Sequence, residues 1–214
     1  SALMNYAVKY YGLKSNPCVA AGSMGKKSAD EMLFWTLDEY NKFISCVDNV
    51  SYKLAFDIMF WTGMRVGETL ALTPADIYDK KISVSKTFTR INGKDLITEP
   101  KTENSKRIVY ITETLYNEIQ DYIKKLYGIT DNDRIFYFNR TAINKALIDY
   151  AKVAGVKRIR VHDLRHSHAA LCIDKGVDIY LLSDRLGHKD IQTTINTYGH
   201  LYPDKGAEVV KALE

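Results

Sequence analysis

Twelve residues of the chain, RVHDLRHSHAAL from Arg160 to Leu171, hold three histidines and two arginines, and all five histidines of the sequence lie at or beyond His162. Three chemistries suit such a cluster: metal ligation, a solvated basic helix end, or a phosphate site. His162 and His166 are four residues apart, so one helical face could offer both to a metal with His168 nearby, but no HExxH motif is present. A phosphate is better served. Arg165 carries a planar fork for two non-bridging oxygens, and a helix starting near His162 or Asp163 adds backbone N–H groups at its positive end. On this reading His166 and His168 are ordinary helix residues, in packing or at the surface.

One arginine does not hold a transferring phosphoryl group alone, which directs attention to two other stretches. In TGMRVGE, Arg65 follows an apolar run and stands between Gly63 and Gly67; a guanidinium there is costly unless an anion meets it, and a structural pair with Glu68 is the plain alternative. In LGHKDIQTTINTYGH, His188 follows a helix-ending Gly187 and Tyr198 lies ten residues on. Taken singly, a tyrosine at helical spacing is core and a charge run is a solvated face.

Elements that could position these groups are legible in the periodicity. Thr36 with Glu39 forms a capping box ahead of Tyr40, Phe43, Ile44 and Val47, so a helix starts at Thr36. SYKLAFDIMFWTGMRVGETLALTP reads as a buried helix, a turn carrying Arg65, and a short second helix ending before Pro74. KKISVSKTFTR, DLITEPK and KRIVYIT alternate with β-branched residues, and INGK supplies turn chemistry between the first two, which predicts a small antiparallel sheet of two or three strands. Five further helical segments follow, most closed by glycine. The expected fold class is mostly α with a small antiparallel β-sheet. The opening ALMNYAVKYYGLKSNPC sets Leu3, Tyr6, Ala7, Tyr10 and Tyr11 on one helical face and is followed by a small, polar stretch. Residues 1–29 therefore read as the end of an upstream domain plus linker, and 30–214 as the main domain.

Composition limits the partners. The 214 residues are 46% hydrophobic, with no apolar run long enough for a membrane span and no export signal in the first residues. Three scattered cysteines without CxxC spacing suggest neither a disulfide framework nor a thiolate zinc site, so a cytoplasmic chain is expected. The net charge of +4 is mild but uneven: from Lys80 to Tyr110 there are eight Lys or Arg against three acids, and from Ala151 to Ala170 five against one. Both stretches flank the motifs, which favours a polyanion as partner.

TGMRVGE, PKTENSKR, HDLRHSHA and LGHKDIQTTINTYGH, in this order and spacing, resemble the tyrosine recombinase family, the phage-integrase type of site-specific DNA recombinase, over roughly Thr36 to Tyr202. The resemblance implies a catalytic set of Arg65, Lys101, His162, Arg165, His188 and the nucleophile Tyr198, with Lys94 and Lys106 on the same segment as Lys101. It implies that Tyr198 attacks a DNA phosphate to form a 3′-phosphotyrosyl link. Arg65, Arg165 and His188 would spread the charge of the pentacoordinate phosphate, His162 would assist proton transfer at Tyr198, and Lys101 would protonate the departing 5′ oxygen. No cofactor or metal is implied. The implied partners are double-stranded DNA at attachment sites, further copies of the chain in a tetramer, and an accessory DNA-bending factor. The implied source is a phage or other mobile element, and residues 1–29 would close a core-binding domain. Topoisomerase-like strand transfer uses the same residues. A silent DNA-binding module would have lost Tyr198 or an arginine, and a histidine metallohydrolase would need acidic ligands around His162 and His166.

Overall fold

A computed structural model describes residues 2–22, 32–99 and 106–202. The chain divides into two compact units, Ser1–Met32 and Leu33–Glu214. The first holds α1 (Ala2–Tyr10) and α2 (Pro17–Ala20); α2 opens with Pro17 at its first turn and with the Asn16 side chain accepting from the Cys18 N–H. Everything below concerns the second unit.

Its first helix, α3 (Leu37–Ser45), begins at the capping box read from the sequence: Thr36 Oγ1 accepts from the Glu39 N–H, and the Glu39 carboxylate accepts from the Thr36 N–H. In α4 (Val50–Thr62) the residues Leu54, Ala55, Phe56, Ile58, Met59 and Phe60 are all buried, as expected for a helix apolar on most sides. Gly63 ends α4 in the left-handed region at φ 68°, and a Cβ there would meet the His168 ring at 2.6 Å and Leu186 at 2.8 Å. Backbone conformation and packing therefore both require glycine at the turn that carries Arg65. The short α5 (Val66–Leu70) follows.

Among the described residues, five strands come next: β1 (Ile77–Tyr78), β2 (Lys81–Val84), β3 (Thr87–Ile91), β4 (Lys94–Thr98) and β5 (Arg107–Tyr110). They form two antiparallel sheets, β1-β2-β5 and the hairpin β3-β4. Asn92 and Gly93, both at positive φ, make the two-residue turn anticipated at INGK, with Ile91 paired to Lys94. KKISVSKTFTR, which alternates as one run, divides at Ser85 and Lys86 into strands of different sheets. The Lys86 ammonium is tied there to Asp76 at 2.9 Å and to Thr73 Oγ1 at 3.0 Å, a tertiary anchor invisible in the alternation.

The remaining helices are α6 (Glu113–Lys124), α7 (Arg140–Ala154), α8 (Asp163–Asp174), α9 (Ile179–Leu186) and α10 (Ile191–Tyr198). Thr112, Asn139, Asp178 and Asp190 cap four of them, and Gly155 and Gly187 close α7 and α9 in the left-handed region. In the core, Tyr40 stacks on Phe60 with ring centroids 3.6 Å apart, and Trp35 and Phe43 pack alongside. Trp35 also pins the start of α8: its backbone N–H donates to Ser167 Oγ, and its indole N–H donates to the Lys157 carbonyl. α4 and α8 pack against each other, which brings the Arg65 turn to the HDLRH segment.

Candidate active site

Arg165 is the residue around which the site is assembled. It is only 3% exposed, yet its guanidinium donates to two backbone carbonyls: Nη1 to Gly63 O at 2.8 Å and Nη2 to Leu186 O at 2.7 Å. These lie at the C-terminal ends of α4 and α9, where carbonyls lack helical partners and the helix dipoles are negative. One buried cation thus joins three helices. It also sets the two turns that follow those ends side by side, one carrying Arg65 and the other His188.

Arg65 stands at the N-cap of α5 with its side chain 37% exposed. The pair with Glu68 that the sequence allowed is present, Nη1 to Oε1 at 2.8 Å, and Glu68 Oε2 accepts from the Arg65 N–H. The buried carboxylate is shared, however, because Arg107 of β5 donates to it from Nη2 at 2.9 Å and from Nη1 at 3.3 Å. One buried carboxylate thus serves two guanidiniums. Arg107 Nε donates in turn to the Arg185 carbonyl, so this arginine links the sheet, the Arg65 turn and the end of α9. No spacing rule marked Arg107 or Arg185, since neither lies in the same motif as its partners.

The arginine charges are felt by His162, His188 and Arg165. Burial, with His166 and Arg165 beside it, pushes His162 down to about 4. Burial and the charges of Arg165, Arg65 and Arg107 push His188 down to about 4. Arg165 is itself pulled down by burial and by Arg65 and Arg107. An anion arriving here would be met by donors already held in place.

His162 is the N-cap residue of α8, as the sequence suggested. His188 Nδ1 is hydrogen-bonded to the buried Thr194 hydroxyl at 2.7 Å, which leaves Nε2 for a ligand. Tyr198, the last residue of α10, is 1% exposed, and its phenol oxygen is 2.8 Å from His166 Nδ1. His166 is therefore no bystander on its helix: the imidazole on the tyrosine is His166, whose ring centroid lies 5.3 Å from that of His162. No sequence signal joins residues 32 apart, and only the tertiary fold, with α10 packed on α9, reveals the contact. His168 does have the ordinary role expected of it, donating from Nδ1 to the Phe60 carbonyl and accepting at Nε2 from Arg185 Nε.

Beside this cluster a cleft of about 510 Å³ is lined by Arg65, Arg90, Arg140, His162, Thr87 and Thr89. Lys101 lies outside the described residues. Of the other two lysines of that segment, Lys94 opens β4 and Lys106 pairs with Glu99 at 3.1 Å. Among the described residues, no group of three or more His, Cys, Asp or Glu side chains is placed to hold a metal ion.

Glu68 supplies a stability prediction. Burial by itself would raise its carboxyl, but Arg107 and Arg65 together hold it below the usual carboxylate range. Its contribution is therefore complete above the unfolded pKa, near ~4.3, and is lost as pH falls through the lower folded value. Glu68→Gln breaks a buried ion pair and should cost about 3–5 kcal/mol at pH 7. Urea denaturation of both proteins should show that difference at pH 7 and a shrinking one as pH drops below 4; a constant gap would mean the carboxylate's charge is not what holds the cluster.

Helices around small antiparallel sheets, with arginines, histidines and a tyrosine drawn together, define the catalytic-domain fold of the tyrosine recombinases. The chain belongs to the phage integrase family, whose sequence pattern matches residues 34–205. The ICEBs1 integrase of Bacillus subtilis (strain 168) is 36% identical, aligned over all of this chain and 62% of its own length. The integrase of Staphylococcus phage L54a is 27% identical over 99% of this chain and 70% of its own. The Tn1549 transposon integrase, solved with circular-intermediate DNA, superposes with a TM-score of 0.81 at 21% identity over all of this chain and 76% of that one. XerA recombinase gives 0.63 at 25% identity over 85% of this chain and 68% of that one. The chain thus spans about three-fifths of the length of the ICEBs1 integrase. Among the described residues, no helix is long and apolar enough to cross a membrane.

Proposed function

We propose that this protein is a site-specific DNA recombinase, the integrase of a phage or other mobile element, that cleaves and rejoins DNA through a 3′-phosphotyrosyl intermediate at Tyr198. The observation that carries this is the convergence of Arg65, Arg165 and His188 beside the buried phenol of Tyr198. Arg65 and Arg165 lie near enough to favour the Tyr198 phenolate, although burial wins and holds the phenol up at about 12. A phenol so placed is neutral at pH 7 and attacks only if its proton leaves with the reaction. The guanidiniums and the His188 imidazole spread the charge on the pentacoordinate phosphate, and His162, at the N-terminus of α8, assists proton transfer at Tyr198. Lys101 is assigned the proton for the departing 5′ oxygen. The phosphotyrosyl link conserves the energy of the broken bond, so religation to another 5′-hydroxyl requires no nucleotide.

The partner is double-stranded DNA at attachment sites, bound by a tetramer of the protein with an accessory DNA-bending factor, in the cytoplasm. The arginine-lined cleft and the DNA complexes of the Tn1549 integrase support the DNA reading. Residues 30–214 are read as the catalytic domain and 1–29 as the end of a core-binding domain; the compact unit from Leu33 and the family match over 34–205 support the first part.

The test uses full-length protein and a nicked duplex bearing the attachment junction, recovered by sequencing the DNA that flanks the gene. Loss of the short 5′ fragment prevents religation, so a denaturant-resistant protein–DNA adduct should accumulate. It should form equally in saturating EDTA, because charge and proton transfer are assigned to side chains. Failure to form any adduct would sink the proposal, and an adduct that forms only with added zinc would return the histidines to a metal role.

A further inference from the structure

His166 is absent from the catalytic set that the motifs define, yet it is the side chain that touches the nucleophile. Its Nδ1 lies 2.8 Å from the Tyr198 oxygen, and on the other side of the ring its Nε2 lies 4.0 Å from Asp163 Oδ1. Asp163 is fully buried and held by the Arg160 backbone N–H at 2.8 Å and the Arg160 guanidinium at 2.9 Å. A carboxylate behind Nε2 favours the tautomer with its proton there and leaves Nδ1 to accept from the phenol. The hydroxyl is in hydrogen-bond contact with the imidazole, and the carboxylate stands beyond hydrogen-bond distance on the ring's other nitrogen, the order of groups that activates a weak oxygen nucleophile in other enzymes.

We propose that His166 is a catalytic residue of this protein, taking the Tyr198 proton at Nδ1 as the phenol oxygen attacks phosphorus, with Asp163 stabilising the imidazolium that results. The Tyr198 Oη–phosphorus bond forms, the bond from phosphorus to the 5′ oxygen breaks, and the Tyr198 proton moves to His166. The leaving oxygen takes its proton from the separate acid assigned above. On religation the steps reverse, and His166 returns the proton to Tyr198.

The charges facing the ring suit a neutral base. Arg165 and His162 lie on its own helix or at its start, Arg160 on the segment leading into it, and His188 and Tyr198 on α10 and the turn before it. Burial lowers the His166 pKa; Asp163 opposes this, while Arg165 and Arg160 add to it. The imidazole is thus unprotonated at neutral pH, ready to accept. It becomes charged only when the proton arrives, at which point Asp163 is the nearest anion.

The inference rests on Tyr198 being the nucleophile, and the experiment keeps the two apart. Adduct formation on the nicked junction duplex is timed from pH 6.5 to 8.5 for the parent, Tyr198→Phe, His166→Asn and His166→Ala. Asparagine keeps an acceptor near the Nδ1 position but cannot take the proton. The parent should be nearly flat over this range. His166→Asn should be slower by roughly 10²- to 10⁴-fold at pH 7, the usual range for a lost general base. It should also gain about tenfold per pH unit, because attack then waits on a phenolate formed in advance. His166→Ala should behave alike and recover in proportion to added free-base imidazole, which serves as the second readout should the asparagine variant melt early. A variant rate at or above the parent's would mean that His166 merely stores the phenol. A slow variant with a flat profile and no imidazole rescue would make it a packing residue. Either result overturns the inference. An adduct surviving in Tyr198→Phe would instead overturn the wider reading of the site.

Discussion

Tyr198→Phe is expected to abolish the covalent adduct completely while DNA binding persists. The substitution removes one oxygen, the atom that would bond to phosphorus, and leaves a ring of nearly the same volume in a pocket where the tyrosine is 1% exposed. The hydrogen bond to His166 is lost, a stability cost of about 1 kcal/mol, which leaves the fold intact. Among the described residues, no other hydroxyl is hydrogen-bonded to His166. Tyr202, four residues on, donates its hydroxyl to the Val177 carbonyl at 3.1 Å and has no contact with His166 or Arg165 among the described hydrogen bonds. Denaturing gels of the nicked-duplex reaction, with gel shifts on the same samples, separate cleavage from binding. An adduct that persists, or one whose linked peptide contains Tyr202, would remove Tyr198 from the mechanism.

The next largest effect is expected from Arg165→Lys, which keeps the charge and loses the fork. Arg165 uses two of its donors to hold Gly63 O and Leu186 O, and its remaining N–H groups are those a phosphate would meet. An ammonium has three N–H groups on one atom at the end of a flexible stem. It does not span two carbonyls on different helices and a phosphate together. Cleavage should fall by about 10²- to 10³-fold, the pattern of one lost transition-state donor. A carbonyl left unpaired should cost about 1–3 kcal/mol of stability. Single-turnover cleavage, beside melting curves and salt-dependent binding, distinguishes these contributions. Arg65→Lys is the companion: its side chain holds no buried backbone carbonyl, the charge beside Glu68 is kept and Arg107 still pairs with that carboxylate, so cleavage should drop with a smaller change in melting than in Arg165→Lys. Cleavage at the parent rate in either variant would mean that the arginine does not touch the scissile phosphate.

Much of the fold was written in local chemistry. The Thr36–Glu39 capping box, the Asn92–Gly93 turn, the buried helix ending at Gly63 and the start of α8 at Asp163 each depend on residues within a few positions of one another, and each forms where the local pattern places it. The division of KKISVSKTFTR between two sheets was not legible. β2 finds its partner in β5, some twenty-five residues on, and Lys86 is anchored to Thr73 and Asp76 behind it.

The site shows the same boundary. The sequence by itself offered side chains that could bind a phosphate and supply a nucleophile, because residue type and motif order carry that chemistry: Arg65, His162, Arg165, His188 and Tyr198 lie in stretches that are weak when read singly and specific in combination. It also allowed the Arg65–Glu68 pair, a contact between neighbours on one turn. Only the tertiary structure decided what surrounds them. Arg107 converts that pair into a shared carboxylate, Arg165 ties two helix ends together through backbone carbonyls that carry no residue identity, and His166 rather than His162 meets the tyrosine. The physical reason is common to all three. Spacing along the chain sets which side chains share a helical face, whereas a proton or a charge responds to distances of a few ångströms between elements, and those distances exist only once α4, α8, α9 and α10 have packed.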